Sequence, residues 1–213
     1  MARKALIIAG TDTDAGKTVI SGSLLRQYGP LNDNLYYWKP VQTGYPKDDD
    51  TATVRRISRC DRVIAGLRFT EPLSPHLAAE LEDKSIEPES ILEAFHSMDH
   101  DLILEGAGGL LVPLNRNTLW IDVVAKMNAP VLLVARSGLG TINHTLLSLE
   151  ALRLRQIPVV TIAFFGPKER STEDNMRTIA DFSGLPVFGP IRYDDAAKLQ
   201  IDPTGLLRHL LLA

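Results

Sequence analysis

The chain has 213 residues, 45% hydrophobic and 23% charged, which is globular composition and excludes a disordered, collagen-like or coiled-coil protein. Lys and Arg number 23 against 26 Asp and Glu, a net charge of −3, so there is no broad basic face and nucleic acid is not an expected partner. No apolar run approaches the ~18–20 residues of a membrane span. The single Cys60 can form neither an internal disulfide nor a zinc cluster, which points to a reducing, cytoplasmic setting.

Short apolar runs rich in β-branched residues recur along the chain, each followed by a polar or Gly-rich turn and a longer amphipathic stretch. Predicted strands are Ala5–Ala9, Leu35–Val41, Asp101–Glu105, Pro130–Ala135, Val159–Phe165 and Pro186–Gly189. Predicted helices are Lys17–Tyr28, Thr51–Arg59, Pro88–Met98, Thr118–Met127, Thr141–Arg155, Ser171–Phe182 and Thr204–Leu212. Strands alternating with helices imply an α/β fold with a doubly wound, mostly parallel sheet. With no linker, repeat or low-complexity tract, residues 1–213 read as one domain. In such a sheet ligands collect outside the carboxyl ends of the strands, so the turns after the runs are where chemistry is to be sought.

The first turn reads Gly10-Thr-Asp-Thr-Asp-Ala-Gly16-Lys17-Thr18, entered from a strand and leaving into a helix. Backbone N–H groups and the positive helix end can surround a polyphosphate, Lys17 can reach its terminal phosphate, and the Thr18 hydroxyl can serve Mg²⁺. Five residues separate the glycines rather than the usual four, so this is a P-loop NTPase-like domain with a variant Walker A loop. Asp12 and Asp14 are anomalous in an anion cradle. Each either caps the following helix, accepts a hydrogen bond from a ribose or an ammonium group, or acts on metal-bound water.

The second turn is Lys39-Pro-Val-Gln-Thr43-Gly44. A lysine at the end of an apolar strand either snorkels to solvent or meets an anion; beside a phosphate loop it becomes a clamp for phosphoryl charge, with Thr43 adding a hydroxyl donor. The third turn, Glu105-Gly-Ala-Gly-Gly109, puts a carboxylate where a P-loop enzyme keeps its acidic metal partner. Thr18, Glu105 and one carboxylate of Asp48-Asp49-Asp50 form an all-oxygen set suited to Mg²⁺. A fourth turn, Arg136-Ser-Gly-Leu139-Gly140-Thr141-Ile142-Asn143-His144, opens another helix. It is either an anion site or a simple connection capped by Thr141.

Together with Ser74-Pro75-His76 and Ala78-Ala79, these motifs resemble those of dethiobiotin synthetases of the biotin pathway, in order and spacing, over residues 5–150. The resemblance implies a cytoplasmic, homodimeric ligase. It joins CO₂ (as bicarbonate in solution) to diaminopelargonic acid with ATP and Mg²⁺, through a carbamate and a carbamic-phosphoric anhydride, and closes a cyclic urea. By the same resemblance Lys39 and Lys17 are the catalytic charges. The nucleotide segment is Asp14, Ala15, Gly16, Lys17, Thr18 and Val19, with Glu105, Gly106, Ala107 and Gly108 nearby. Thr18, Asp50 and Glu105 are metal-linked, with Asp49 as the alternative to Asp50. Thr13, Lys39 and Thr43 contact substrate, and Leu139, Gly140, Thr141, Ile142 and Asn143 receive its carboxylate across the dimer interface. The base-binding positions fall on Phe165, Gly166, Arg192, Tyr193 and Asp194, where this chain departs from the family's Asn-Asp and Gly-x-Ile-Pro patterns; weak discrimination among bases follows. Two rivals share the loop: another variant P-loop ATPase or ligase, and a non-catalytic nucleotide-binding module. The first lacks a use for Lys39 and Ser74-Pro75-His76, and the second lacks a use for the second lysine.

Overall fold

A computed structural model describes residues 3–195 and 205–212. Among these residues are seven strands and eight α-helices: β1 Ala5–Gly10, α1 Lys17–Tyr28, β2 Leu35–Gln42, α2 Asp50–Ser58, β3 Val63–Arg68, α3 Pro75–Glu80, α4 Pro88–Ser97 and β4 Asp101–Glu105, then α5 Trp120–Met127, β5 Val131–Arg136, α6 Thr141–Leu154, β6 Val159–Phe165, α7 Thr172–Ser183, β7 Val187–Ile191 and α8 Leu206–Leu212. The expected start of the last helix at Thr204 lies outside the described residues.

The strands form one sheet in the order β3-β2-β4-β1-β5-β6-β7, and every pairing between them is parallel. β1 lies between β4 and β5, with Ile8 opposite Glu105 on one side and Leu132 on the other. The chain first winds from β1 towards β2 and β3, then returns through β4 and crosses to β5, so its direction reverses around β1. This is the switch point at which an open parallel sheet leaves a crevice. The loop after β1 therefore stands at the sheet's natural binding position.

Both faces of the sheet are covered. Leu6 and Ile8 of β1 pack with Ile20, Leu24 and Leu25 of α1 and with Leu207 and Leu211 of α8. Ile7 and Ala9 point the other way, towards Phe95 of α4, Trp120 and Val124 of α5, Leu149 and Leu152 of α6 and Ile179 of α7. Successive side chains alternate between these layers, as strand geometry requires, and full burial of each large apolar side chain is worth about 1.5–3 kcal/mol. That two-sided core fixes the strand ends, and the catalytic candidates sit on those ends.

The strand Val63–Arg68 and the helix Pro75–Glu80 are additions to the sequence expectation. β3 is the sheet edge, with Ala65, Gly66 and Leu67 exposed, so it lacks the continuous apolar run of a covered strand. Gly66 is required there, because a Cβ would lie 2.1 Å from the Pro40 carbonyl oxygen on β2. No helix among the described residues is long and apolar enough to cross a membrane.

Candidate active site

The loop between β1 and α1 wraps the crevice. Thr11 N–H donates to the Val134 carbonyl at 2.9 Å, tying the loop to β5. Asp14 (φ 55°) and Gly16 (φ 99°) both take left-handed backbone, the kind of turn that aims successive N–H groups into an anion-binding concavity. Gly16 has a second reason to be glycine: a Cβ there would lie 2.1 Å from the ring of Phe165. That ring, from the end of β6, packs against the loop and against Val19.

Neither Asp12 nor Asp14 caps α1, whose N-cap is Gly16 with no side-chain bond; the capping alternative is corrected. Asp12 Oδ1 instead accepts from the N–H of Thr13 at 2.8 Å, and its Oδ2 pairs with Arg136 at 3.0 Å. Its charge is turned towards β5. Thr141 does not cap α6 either: Gly140 is the N-cap, and the buried Thr141 hydroxyl has no partner.

Lys17, only 6% exposed, folds back so that Nζ donates to the Asp12 carbonyl at 2.9 Å. Its pKa is lowered to about 8, first by burial and then by the nearby charge of Lys39, with Glu105, Asp50 and Asp14 opposing the shift. Lys39, buried on β2, donates to Glu105 Oε1 and pairs with Asp50 Oδ2, both at 2.8 Å, and reaches the Gly106 carbonyl at 3.2 Å. Burial by itself would lower its pKa, but the two carboxylates outweigh that and hold it above the ordinary lysine value. One lysine is thus a labile ammonium and the other a fixed one.

The Thr18 hydroxyl oxygen lies 2.9 Å from Asp50 Oδ1 and 2.9 Å from Glu105 Oε1. Asp50, the first residue of α2, is pulled above the usual carboxylate range by burial and below it by Lys39 and the Thr18 hydroxyl, and the lowering wins. Its neighbour Asp49 is spent elsewhere: as the N-cap of α2 it accepts from Ala52 N–H and from the Thr51 hydroxyl at 2.6 Å. The two candidates are separated by a helix start.

A cleft of about 780 Å³ connects these groups, taking in Thr13, Asp14, Gly16, Lys17, Thr18 and Val19 from the loop and helix, Lys39 and Thr43 from the second turn, and Asp50, Glu105, Ala107, Gly108 and Phe165. Ala15 is buried beneath it, and Gly106 is pinned against Trp120, whose Nε1 would lie 2.5 Å from a Cβ. Ser74 and Pro75 line the far wall. Gly166 belongs to a smaller cleft of about 310 Å³ on the other side of Phe165, with Arg136 and Thr141.

Two sets of expected residues stand apart from the main cleft. Gly140, Ile142 and Asn143 border a separate surface groove along α6, and the fully exposed Leu139 stands between that groove and the smaller cleft beside Phe165. Arg192 pairs with Asp194 at 3.6 Å, and the Tyr193 hydroxyl meets Arg56 of α2, whose guanidinium also lies over the Tyr193 ring.

A family model described as an AAA domain matches residues 4–198. The ATP-dependent dethiobiotin synthetase of Brucella anthropi is 47% identical over 206 residues, 95% of this chain and 91% of the relative. That of Rhodopseudomonas palustris (strain BisB5) is 48% identical over 171 residues, covering 79% and 77%. The chain belongs to the dethiobiotin synthetase family. Among solved structures it is similar to a ParA family ATPase from Chlorobium tepidum, with TM-score 0.62, 14% identity and coverage of 99% and 96%. It is similar also to the MinC:MinD complex of Aquifex aeolicus, with TM-score 0.59, 12% identity and coverage of 92% and 85%. At those identities the likeness is one of fold, so within this α/β P-loop architecture the sequence relatives alone carry the family.

Within this synthetase-family site, sequence reasoning missed Tyr37, whose hydroxyl donates to Glu105 Oε2 at 2.8 Å. Burial, with Glu105 and Asp50 nearby, raises its pKa well above the ordinary phenol value. The signal was present: Tyr37 is two residues before Lys39 and shares its side of the strand. Arg136, the partner of Asp12, was visible only as the first residue of the fourth turn.

Proposed function

We propose that the chain catalyses ATP-dependent closure of a cyclic urea from diaminopelargonic acid and CO₂, giving dethiobiotin. The observation that carries this reading is the opposition of two lysines, one on the phosphate loop and one on the strand two places away, across one cleft. A carbamate formed on one amine attacks the γ-phosphorus and ADP leaves; the second amine then attacks the carbamoyl carbon and phosphate leaves. Lys17 neutralises the terminal phosphate, and Lys39 balances charge on the carbamate and the transferring group. Both orient reactants rather than carry protons.

The donor set of Thr18, Asp50 and Glu105 consists of hard oxygens, and it already accommodates a cationic group, the Lys39 ammonium, at 2.8 Å from both carboxylates. It fits Mg²⁺, which these three residues would hold. The bound ion supplies charge neutralisation for the polyphosphate. The test is to give purified protein ATP, Mg²⁺, bicarbonate and diaminopelargonic acid and to look for the ureido product by mass. Phosphate release without that product would reject the reaction. The same assay with CTP and GTP reads the base: β6 ends in Phe165-Gly166-Pro167, which offers no side-chain donor or acceptor, so we expect rates within about tenfold of ATP, as loss of one edge-reading bond implies. A strong ATP preference would contradict this.

The α6 turn supports a shared site. Gly140, Ile142 and Asn143 border a groove that the main cleft does not reach, so in a homodimer the substrate carboxylate would be held by the partner's turn. Lys39→Ala and Asn143→Glu proteins, each inactive alone, should regain activity when mixed and exchanged, because a mixed dimer holds one intact site. No recovery on mixing would place the carboxylate within a single protomer.

A further inference from the structure

Glu105 is met by three groups whose arrangement is uneven. Oε1 faces the Thr18 hydroxyl oxygen at 2.9 Å and Lys39 Nζ at 2.8 Å. Oε2 accepts the Tyr37 hydroxyl at 2.8 Å. Tyr37 is wholly buried on the face of β2 that packs with Leu35 and with Ile103 of β4. The register sets Tyr37 opposite Ile103, two residues before Glu105, so the long phenol runs along the sheet and meets the carboxylate from below. Phenylalanine would fill the same space. What tyrosine adds is one buried hydroxyl, and such a group is kept where it has a partner.

The last torsion of a glutamate is broad and roughly two-fold, so a carboxylate bonded at one oxygen only can swing. With Oε2 tethered from the core and Oε1 met from the cleft, the plane of Glu105 is fixed at both ends. We propose that Tyr37 is a positioning residue that locks Glu105 so that a single oxygen, Oε1, is presented to the cation and phosphate side of the cleft. The inference rests on the Mg²⁺-nucleotide part of the reading above. It requires neither the diamine nor ring closure. Partners that orient a metal-binding carboxylate from behind usually matter to metal affinity as much as they do to packing.

The experiment is Tyr37→Phe, read by calorimetric titration of ATP in EDTA and then at increasing Mg²⁺. Binding of free ATP should stay within about twofold, because the loop 11–16 is untouched. The Mg²⁺ concentration giving half of the metal-dependent gain in ATP affinity should rise about tenfold. An unchanged Mg²⁺ dependence in a folded Tyr37→Phe protein overturns the proposal. If that variant does not fold, Tyr37→Phe combined with Glu105→Gln, which removes the negative charge whose Oε2 has lost its donor, decides the matter. A folded double variant locates the role of Tyr37 on the Glu105 carboxylate, and an unfolded one makes Tyr37 a packing residue and overturns the proposal. Wild-type protein that shows the Mg²⁺-linked ATP binding but makes no ureido product sinks the reaction assignment and leaves this inference standing.

Discussion

Lys39→Ala is expected to lower turnover by on the order of 10² to 10³, the usual cost of deleting one donor to charge that develops in a transition state. ATP binding should change only a few-fold, because the polyphosphate cradle is built from residues 11–16 and Lys17, on a different strand end. The size of the effect follows from where Nζ is held. It lies in a buried position, 2.8 Å from Glu105 and 2.8 Å from Asp50, and the carboxylates keep its pKa above the ordinary lysine value. It is therefore charged throughout the working pH range and already aimed. The variant takes the nearest counter-ion from both carboxylates, of which Glu105 is fully buried, and breaking a buried pair from one side costs about 3–5 kcal/mol. A lower melting temperature should accompany the lost activity. Arginine is not a substitute, because a planar guanidinium fits neither the space nor the two-carboxylate geometry of an ammonium. Single-turnover product formation beside calorimetric ATP binding separates the two effects. Undiminished turnover would take Lys39 out of the chemistry.

Most of the sheet could be read from residue order because its strands are covered on both faces. Asp101–Glu105 and Val159–Phe165 are apolar runs that coincide with the observed strands, and α1 begins at Lys17 and ends at Tyr28, as the pattern of the chain predicts. β3 escaped because an edge strand needs no such run. The two turns carrying Lys39 and Glu105 were legible for a related reason, since each places a charged residue at the carboxyl end of an apolar strand, where burial without a partner would be costly; the phosphate loop was legible from Gly10 and Gly16-Lys17-Thr18 between a strand and a helix. Asp49 and Asp50 could not be distinguished, since adjacent carboxylates differ only once a helix start is placed between them. Asp49 then has extended backbone and caps, and Asp50 becomes the first helical residue and turns to Thr18. Tyr37 stayed hidden because a tyrosine in an apolar strand is indistinguishable from core until its hydroxyl has an address. The α6 turn is the opposite case. Its sequence suggested a site, and in the fold Gly140, Ile142 and Asn143 border a groove along α6 rather than the phosphate cleft.

Lys17→Met is expected to abolish most function while making the ligand-free protein more stable. The ammonium is buried, and its folded-state pKa is lowered from 10.5 to about 8, first by burial and then by Lys39. A lysine with a depressed folded value penalises the fold while both folded and unfolded chains are protonated. The penalty is therefore complete below pH 8 and fades as pH rises from about 8 to 10.5. A gap of that size corresponds to on the order of 1–3 kcal/mol once the lost bond to the Asp12 carbonyl is set against it. Thermal melting at pH 7 should favour the methionine variant, and the advantage should vanish near pH 10; a variant that melts lower at pH 7 would show that the ammonium is well solvated or well paired in the free protein. Function moves the other way. A charge-assisted bond to phosphate contributes about 1.5–3 kcal/mol, so ATP affinity should fall about 10- to 100-fold, and with the transition-state charge also lost, kcat/KM should fall by about 10³ or more. Wild-type ATP affinity in EDTA should decline above pH 8 as Lys17 loses its proton, whereas the methionine variant should give a flat profile over the same interval. The cost of burying the Lys17 ammonium is thus offset by the polyphosphate itself, which makes the loop lysine a binding device whose cost appears only in the absence of nucleotide.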